Sequence, residues 1–365
     1  MLITNAHILP VGCNEITKAF IIMENDMIVR VDDMKRLSVA DLHRFSGDTL
    51  DAEGRITTPG LIDSHCHLGL FRDFVGDREI NAGSSCETVD FYAADAVDFF
   101  DGGFKKAIEA GVTAAVVSPG SSRPAGGFLC AVKTYFPQKF ADKGFYGAFV
   151  RKTSGFKLAL GDNVYNNSGM NKMEVLSYLR RFLSQNINKS GGFLSGNGGS
   201  FEVSVHAHSA GDILTAIELA TEYDFDLTLI HATQAALVAE RILKSGAKVI
   251  LGPAVCSLTK PELAGFDLGA AKLLNEKGIK FSVSTDSPEV PSYLLTTCAG
   301  LYVKFGLDEM EALRCITSYA AEICGLYGRI GSLSPGKDAD IVIWSDFPLN
   351  TKAVPEYVIA GGTLI

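Results

Sequence analysis

Thr58-Pro59-Gly60-Leu61-Ile62-Asp63-Ser64-His65-Cys66-His67 decides how the rest of the chain is read. The apolar pair Leu61-Ile62 runs into Asp63, and two histidines follow with one residue between them. Read as a buried parallel strand, the run delivers its last residues to the mouth of a sheet. Alternate residues of an extended segment project to one side, so His65 and His67 can grip one metal ion together. Imidazole suits Zn, Fe, Mn or Ni. Two solvated loop histidines would read the same way in so short a motif, so the remaining chain has to decide.

Downstream, short apolar runs alternate with helical patterns, as βα units of a parallel sheet require. Residues 104–110 predict a helix ending at Gly111, and 112–118 a strand closed by Pro119-Gly120. The span 121–150 mixes loop, including Gly126-Gly127 read as a turn, with two candidate strands at 128–132 and 145–150. Residues 156–160 form another apolar run, 172–188 an amphipathic helix, and 190–200 a Gly/Ser/Asn loop. The units then become regular. Residues 203–205 run into His206-Ala207-His208, 227–230 into His231, 248–251 into Gly252-Pro253, and 280–284 into Thr285-Asp286, with helices expected at 212–223, 234–245 and 270–277. About eight strand candidates between residues 60 and 286 favour a (β/α)₈ TIM-like barrel over an open sheet.

Both ends of the chain have a different texture. Residues 20–23 and 27–31 flank Glu24-Asn25-Asp26 as a hairpin would, and 339–344 and 357–363 are similarly β-rich. Two such ends around an α/β middle predict a small composite β-sandwich domain, residues 1–57 plus 331–365, beside a barrel of 58–330. Two unrelated edge hairpins are the alternative.

Composition narrows the function. At 365 residues, 47% hydrophobic and 21% charged, the chain can bury a large core. Its net charge of −9 and lack of a Lys/Arg block argue against nucleic acid or an anionic membrane as partner. No run of 18 apolar residues predicts a membrane span, and residues 1–7 lack a signal-peptide pattern. The eight scattered cysteines, with no Cys-x-x-Cys pair, read as reduced thiols, so a cytoplasmic location is expected.

Only seven histidines are present, and five of them (His65, His67, His206, His208 and His231) directly follow a strand-like run. Asp286 ends a further run. In a barrel these positions converge on one mouth, where active sites form. Buried structural histidines would have no reason to follow strand ends so consistently, so a metal site is the favoured reading.

At this point the chain resembles the amidohydrolase superfamily, in the residues 59–67, a later strand-end His, a second one and a final strand-end Asp. Gly331-Ser332-Leu333-Ser334-Pro335-Gly336-Lys337-Asp338-Ala339-Asp340 is a second likeness. The nearest resemblance is to imidazolonepropionase-related amidohydrolases of unassigned substrate, through Gly111-Val112-Thr113, Ser118-Pro119-Gly120-Ser121, residues 205–208 and Gly252-Pro253. That resemblance implies that His65, His67 and Asp286 hold one divalent metal, Zn before Fe, Mn or Ni, while His206 and His231 hold a second or share the first. It also implies a fourth-strand lysine carboxylated to bridge two ions, for which Lys157 is the candidate, with Asp162 and then Lys133 behind it. Asp286 would serve as proton acceptor, and His208 or His231 would polarise the scissile carbonyl. Arg123, Arg151 and Lys260 could each meet a substrate carboxylate.

The expectation is a metal-dependent hydrolase cleaving the C–N bond of a cyclic or other non-peptide amide. The alternatives are a dipeptidase-like hydrolase of small N-acyl amino acids and a catalytically inactive barrel scaffold. A small-molecule substrate is the expected partner, and self-association is left open.

Overall fold

Leu61–Cys66, the strand within the opening motif, is buried at every position. It pairs in parallel with Val112–Val117, which is buried throughout as well. Unbroken apolar runs, rather than alternation, are what a sheet covered on both faces demands. The helix between them, Gly102–Glu109, buries Phe104, Ala107 and Ile108 and is capped by Asp101, whose Oδ1 accepts from Gly103 N at 2.8 Å. The computed structural model describes residues 1–71, 91–135, 145–187, 201–258 and 260–365. The loop expected at 190–200 and Cys86 lie outside them. The seven described cysteines are free thiols. No described helix is long and apolar enough to cross a membrane.

A second sheet carries Phe156–Ala159, Phe201–Ala207, Phe225–His231, Lys248–Leu251 and Phe281–Val283, parallel and in chain order. Helices Lys172–Asn186, Ala210–Tyr223, Ala239–Ser245 and Ala270–Glu276 alternate with them, close to the expected positions. Ala207 pairs with His231, His231 with Leu251, and Leu251 with Val283. One register therefore sets the ends of four strands at a common level. The fold is a TIM-barrel-like α/β arrangement with the site residues at the carboxyl ends of its strands.

The closed ring of eight parallel strands is not what forms among the described residues. Ala125–Phe128 runs antiparallel to Phe156–Ala159, and Cys130–Lys133 runs antiparallel to Val112–Val117. The strands thus form a mixed four-stranded and a mixed six-stranded sheet, linked by the chain at Leu129. The reason is loop length. Seven residues, 118–124, separate Val117 from Ala125. A parallel return needs a crossover of about a dozen or more, whereas an antiparallel one needs only a turn. Gly126-Gly127 accordingly sits within a strand and is not the expected turn.

Strands from both termini share one eight-stranded sheet, ordered Thr363–Leu364, Pro355–Ala360, Ile341–Trp344, Ile56–Pro59, Leu2–Ile8, Ile16–Glu24 and Met27–Asp33, with Thr49–Asp51 beside Leu2–Ile8. The expected sandwich is therefore one hydrogen-bonded sheet, because alternating composition does not distinguish a single sheet from two stacked ones. Gly60 joins it to the sheet of Leu61–Cys66, and a Cβ there would stand 2.0 Å from Thr113 Oγ1. Lys133 reinforces the junction by pairing with Asp338 (2.8 Å) and Asp340.

The first and last parallel strands meet at a polar seam. Asp63 is fully buried, and its carboxylate accepts from Thr285 N (3.1 Å), Thr285 Oγ1 and Ser292 Oγ (2.8 Å). Asp286 N donates to His65 O at 3.1 Å, and His67 N to Ser287 O at 2.8 Å. Truncating Asp63 orphans three buried donors at once, each worth about 1–3 kcal/mol. Asp63→Ala is therefore expected to lower unfolding free energy by roughly 3 kcal/mol or more in denaturant titrations; a loss under about 1 kcal/mol would contradict this account of the seam.

Candidate functional site

Two groups of ligand-bearing side chains stand at the strand ends. The first is His65, His67 and Asp286. Asp286 Oδ1 lies 3.4 Å from His65 Nε2 and 3.4 Å from His67 Nε2. Tetrahedral ligand atoms on bonds of about 2.0–2.1 Å stand roughly 3.4 Å apart, so this spacing already matches a bound ion. His67 Nδ1 donates to Ser118 O at 2.6 Å, which fixes the tautomer and leaves Nε2 bare. Cys66 between them turns away, its Sγ donating to Val116 O.

The second group is His206, His208 and His231, all buried, with ligand atoms within 4.8 Å of one another. His231 Nδ1 donates to Gly252 O at 2.7 Å, and His208 Nδ1 bonds Thr233 Oγ1 at 2.7 Å. Ser209 caps the helix Ala210–Tyr223, accepting from Asp212 N at 3.1 Å, and so ends the strand directly after His208. His231 bridges the groups, its ring 4.5 Å from that of His206 and 5.5 Å from that of His65. Lys157 enters from Phe156–Ala159, buried, with Nζ 3.4 Å from His65 Nε2. These residues line one cavity of about 340 Å³, with Ser121, Asn163 and Lys260 at its polar wall.

Burial sets the protonation states. It lowers His65 to about 3 and His208 to about 4, and holds His206 and His231 well below the usual imidazole value. Neutral imidazole is the ligand form. Burial also brings Lys157 down to about 7, with Asp286 opposing, so a large fraction is a free amine at neutral pH. Burial alone would raise Asp286, but the His231, His65 and His67 imidazoles outweigh it and keep the carboxylate ionised. His65 Nδ1, His206 Nε2 and Asp286 Oδ1 are buried without a hydrogen-bond partner among the described residues. His231 (φ 71°), Ala232 (φ 45°) and Asp286 (φ 54°) hold left-handed backbone, a strain of about 1–3 kcal/mol each that clusters at functional sites. Nitrogen and carboxylate donors at this spacing, several of them unpartnered, fit a divalent cation.

The lesser candidates separate cleanly. Asp162 starts the helix Asp162–Ser168 and exchanges hydrogen bonds with Glu262 instead of reaching the first group. Lys133 stands at the terminal-sheet junction. Arg151 pairs with Glu202 at 2.7 Å, and Arg123 does not line the cavity. Lys260 does, and its Nζ donates to Asn163 Oδ1 at 2.6 Å. Sequence reasoning missed Glu262, which is buried behind His206 and His208. Its only sequence signal is an acid past a proline in the long segment after Lys248–Leu251.

Histidine-bearing strand ends gather around one cavity in a TIM-barrel-like fold. The amidohydrolase family model matches residues 190–365. The chain is 24% identical to amidohydrolase tasK of Hapsidospora irregularis over 388 residues, 94% of this chain and 39% of that protein. It thus spans about two fifths of that relative's length. A 72-residue stretch is 42% identical to imidazolonepropionase of Maricaulis maris (strain MCS10), covering 18% of this chain and 17% of that one. An amidohydrolase structure from Thermotoga maritima MSB8 superposes with a TM-score of 0.89 at 26% identity, over 100% of this chain and 99% of that one. The chain is thus similar to amidohydrolases in sequence over residues 190–365 and in fold over its whole length.

The depressed imidazoles carry a pH prediction for chelator-treated protein. Unfolded histidines protonate near ~6.5, while the folded ones stay neutral down to about 3 and 4. Unfolding therefore takes up protons below about pH 6.5, and stability falls as pH drops, by up to about 1.4 kcal/mol per pH unit per histidine. Asp63, raised to about 6 by burial, acts oppositely between about 4 and 6, and Glu262, also raised by burial, does the same, two acids against four imidazoles. Tm is expected to fall steadily from pH 6.5 to 5; a flat Tm there would contradict these states.

Proposed function

We propose that this chain is a metal-dependent hydrolase that cleaves the C–N bond of a small cyclic or other non-peptide amide. The observation carrying the reading is the convergence of His65, His67, Lys157, His206, His231 and Asp286 on one cavity at the strand ends. In this reading His65, His67 and Asp286 hold one divalent ion, Zn first, and His206 and His231 a second. Lys157, part free amine and buried beside His65, is suited to react with carbon dioxide and carry the bridging carboxylate. Residues 58–330 would form the catalytic unit, with 1–57 plus 331–365 as the small composite domain.

A divalent ion held there would polarise the scissile carbonyl and acidify a water. Asp286, ionised and facing the cavity, accepts the proton of the attacking water and delivers it to the departing nitrogen. Thr233 Oγ1 can donate to His208 Nδ1, which leaves the His208 Nε2 hydrogen for the substrate oxygen as charge develops on it. His231, locked by Gly252 O, keeps its bare Nε2 for the ion.

Lys260 favours a second reading. A cation at the wall of the same cavity suits a substrate carboxylate, as in a small N-acyl amino acid or dipeptide. A panel of lactams, hydantoins, N-acyl amino acids and dipeptides separates the two. Chelation is expected to abolish turnover and added Zn²⁺ to restore it. Asp286→Asn is expected to cost at least about 10³-fold in kcat/KM, and full activity in that variant would overturn the assignment of the base. Lys260→Ala is expected to raise KM at least 10-fold for carboxylate-bearing substrates alone if the second reading holds.

A further inference from the structure

Glu262 is the buried acid that the preceding mechanism leaves without a role. It lies in the single turn Pro261–Leu263 after Lys260. Its Oε1 is 4.0 Å from His206 Nε2 and 4.0 Å from His208 Nε2. Both Glu262 Oε1 and His206 Nε2 are buried with no hydrogen-bond partner among the described residues. Leaving such a pair bare costs about 1–3 kcal/mol per group, more for a charge.

The other carboxylate oxygen is firmly held. Oε2 accepts from Asp162 N at 2.7 Å, and Glu262 N donates back to Asp162 Oδ2 at 3.1 Å. The backbone beside it makes room for this grip. Gly161 has φ +94°, and a Cβ there would stand 2.2 Å from Oε2. Neither neighbouring lysine is hydrogen-bonded to Glu262: Lys260 donates to Asn163 and Lys172 to Asp212 at 2.7 Å. One oxygen is thus anchored, and the other stands 4.0 Å from two imidazole nitrogens.

We propose that Glu262 is a protein ligand of the second metal ion, its Oε1 joining His206 and His231. Zn–N and Zn–O bonds of about 2.0–2.2 Å place tetrahedral ligands roughly 3.4 Å apart, so the 4.0 Å gap to His206 Nε2 needs to close by only about half an ångström. The Asp162 and Gly161 backbone orients the carboxylate, as outer partners of ligating carboxylates do. This deepens the proposed function and rests on its metal reading.

The test is metal stoichiometry and affinity in intact wild-type, Glu262→Gln and Glu262→Asp proteins. Zn²⁺ content is measured after equilibrium dialysis, and each Kd by competition with a chromophoric chelator. Visible absorption of the Co²⁺-loaded proteins supplies a coordination signature independent of activity. Wild type is expected to hold two ions. Glu262→Gln is expected to keep the first and bind the second at least 10-fold more weakly, with a changed Co²⁺ spectrum. Glu262→Asp, too short to reach, is expected to do the same while keeping the charge, and stands in if the amide variant fails to fold. Two ions bound with affinities within twofold of wild type in a folded variant would overturn the role of Glu262 alone. A wild type binding one ion equally well in all three proteins would also overturn it. A wild type binding none would overturn the metal reading beneath it.

Discussion

Closure of the first parallel strand against the last is the constraint on which the site depends. Asp63 lies inside that seam as a carboxylate with no solvent, satisfied by the Thr285 backbone, the Thr285 hydroxyl and Ser292. It fixes the residue immediately before Asp286. The backbone bond from Asp286 N to His65 O then brings the Asp286 carboxylate in front of the two histidines. Burying a carboxylate is costly, and burial raises its pKa to about 6 despite three donors. The return is positional: the Asp286 carboxylate is held 3.4 Å from the Nε2 atoms of His65 and His67.

The same trade recurs around the second group. Its three imidazoles are kept neutral by burial, and two of them are tied through Nδ1 to Gly252 O and Thr233 Oγ1. Left-handed backbone at His231, Ala232 and Asp286 adds strain at the same place. A chain shaped only for stability would not gather unpartnered nitrogens, an ionised carboxylate and strained backbone in one cavity. These features suit an occupant that supplies positive charge, and the terminal sheet, clamped through Lys133, Asp338 and Asp340, holds the catalytic sheets from outside.

Much of the site is legible in the sequence because strand ends are local signals. His65, His67, His206, His208, His231 and Asp286 each follow an apolar run, and any parallel sheet sends such residues to one side. Lys157 is legible for the same reason, as the one polar residue in Phe156–Ala159. The antiparallel course of residues 125–133 is not, because strand texture carries no direction and only the short link 118–124 dictates it. Whether the terminal strands form one sheet or two is equally silent, since pairing is decided by partners far apart in the chain. Glu262 is hidden for a similar reason. Its approach to His206 is created by the backbone of Gly161 and Asp162, 100 residues earlier, and no spacing encodes that.

Anomalous diffraction from crystals grown with stoichiometric Zn²⁺ and no chelator tests the central claim most directly. Difference maps recorded across the zinc edge are expected to give one peak within bonding distance of His65, His67 and Asp286, and another beside His206 and His231. A protein that crystallises with both positions free of anomalous density, or with zinc bound only elsewhere, would contradict the account.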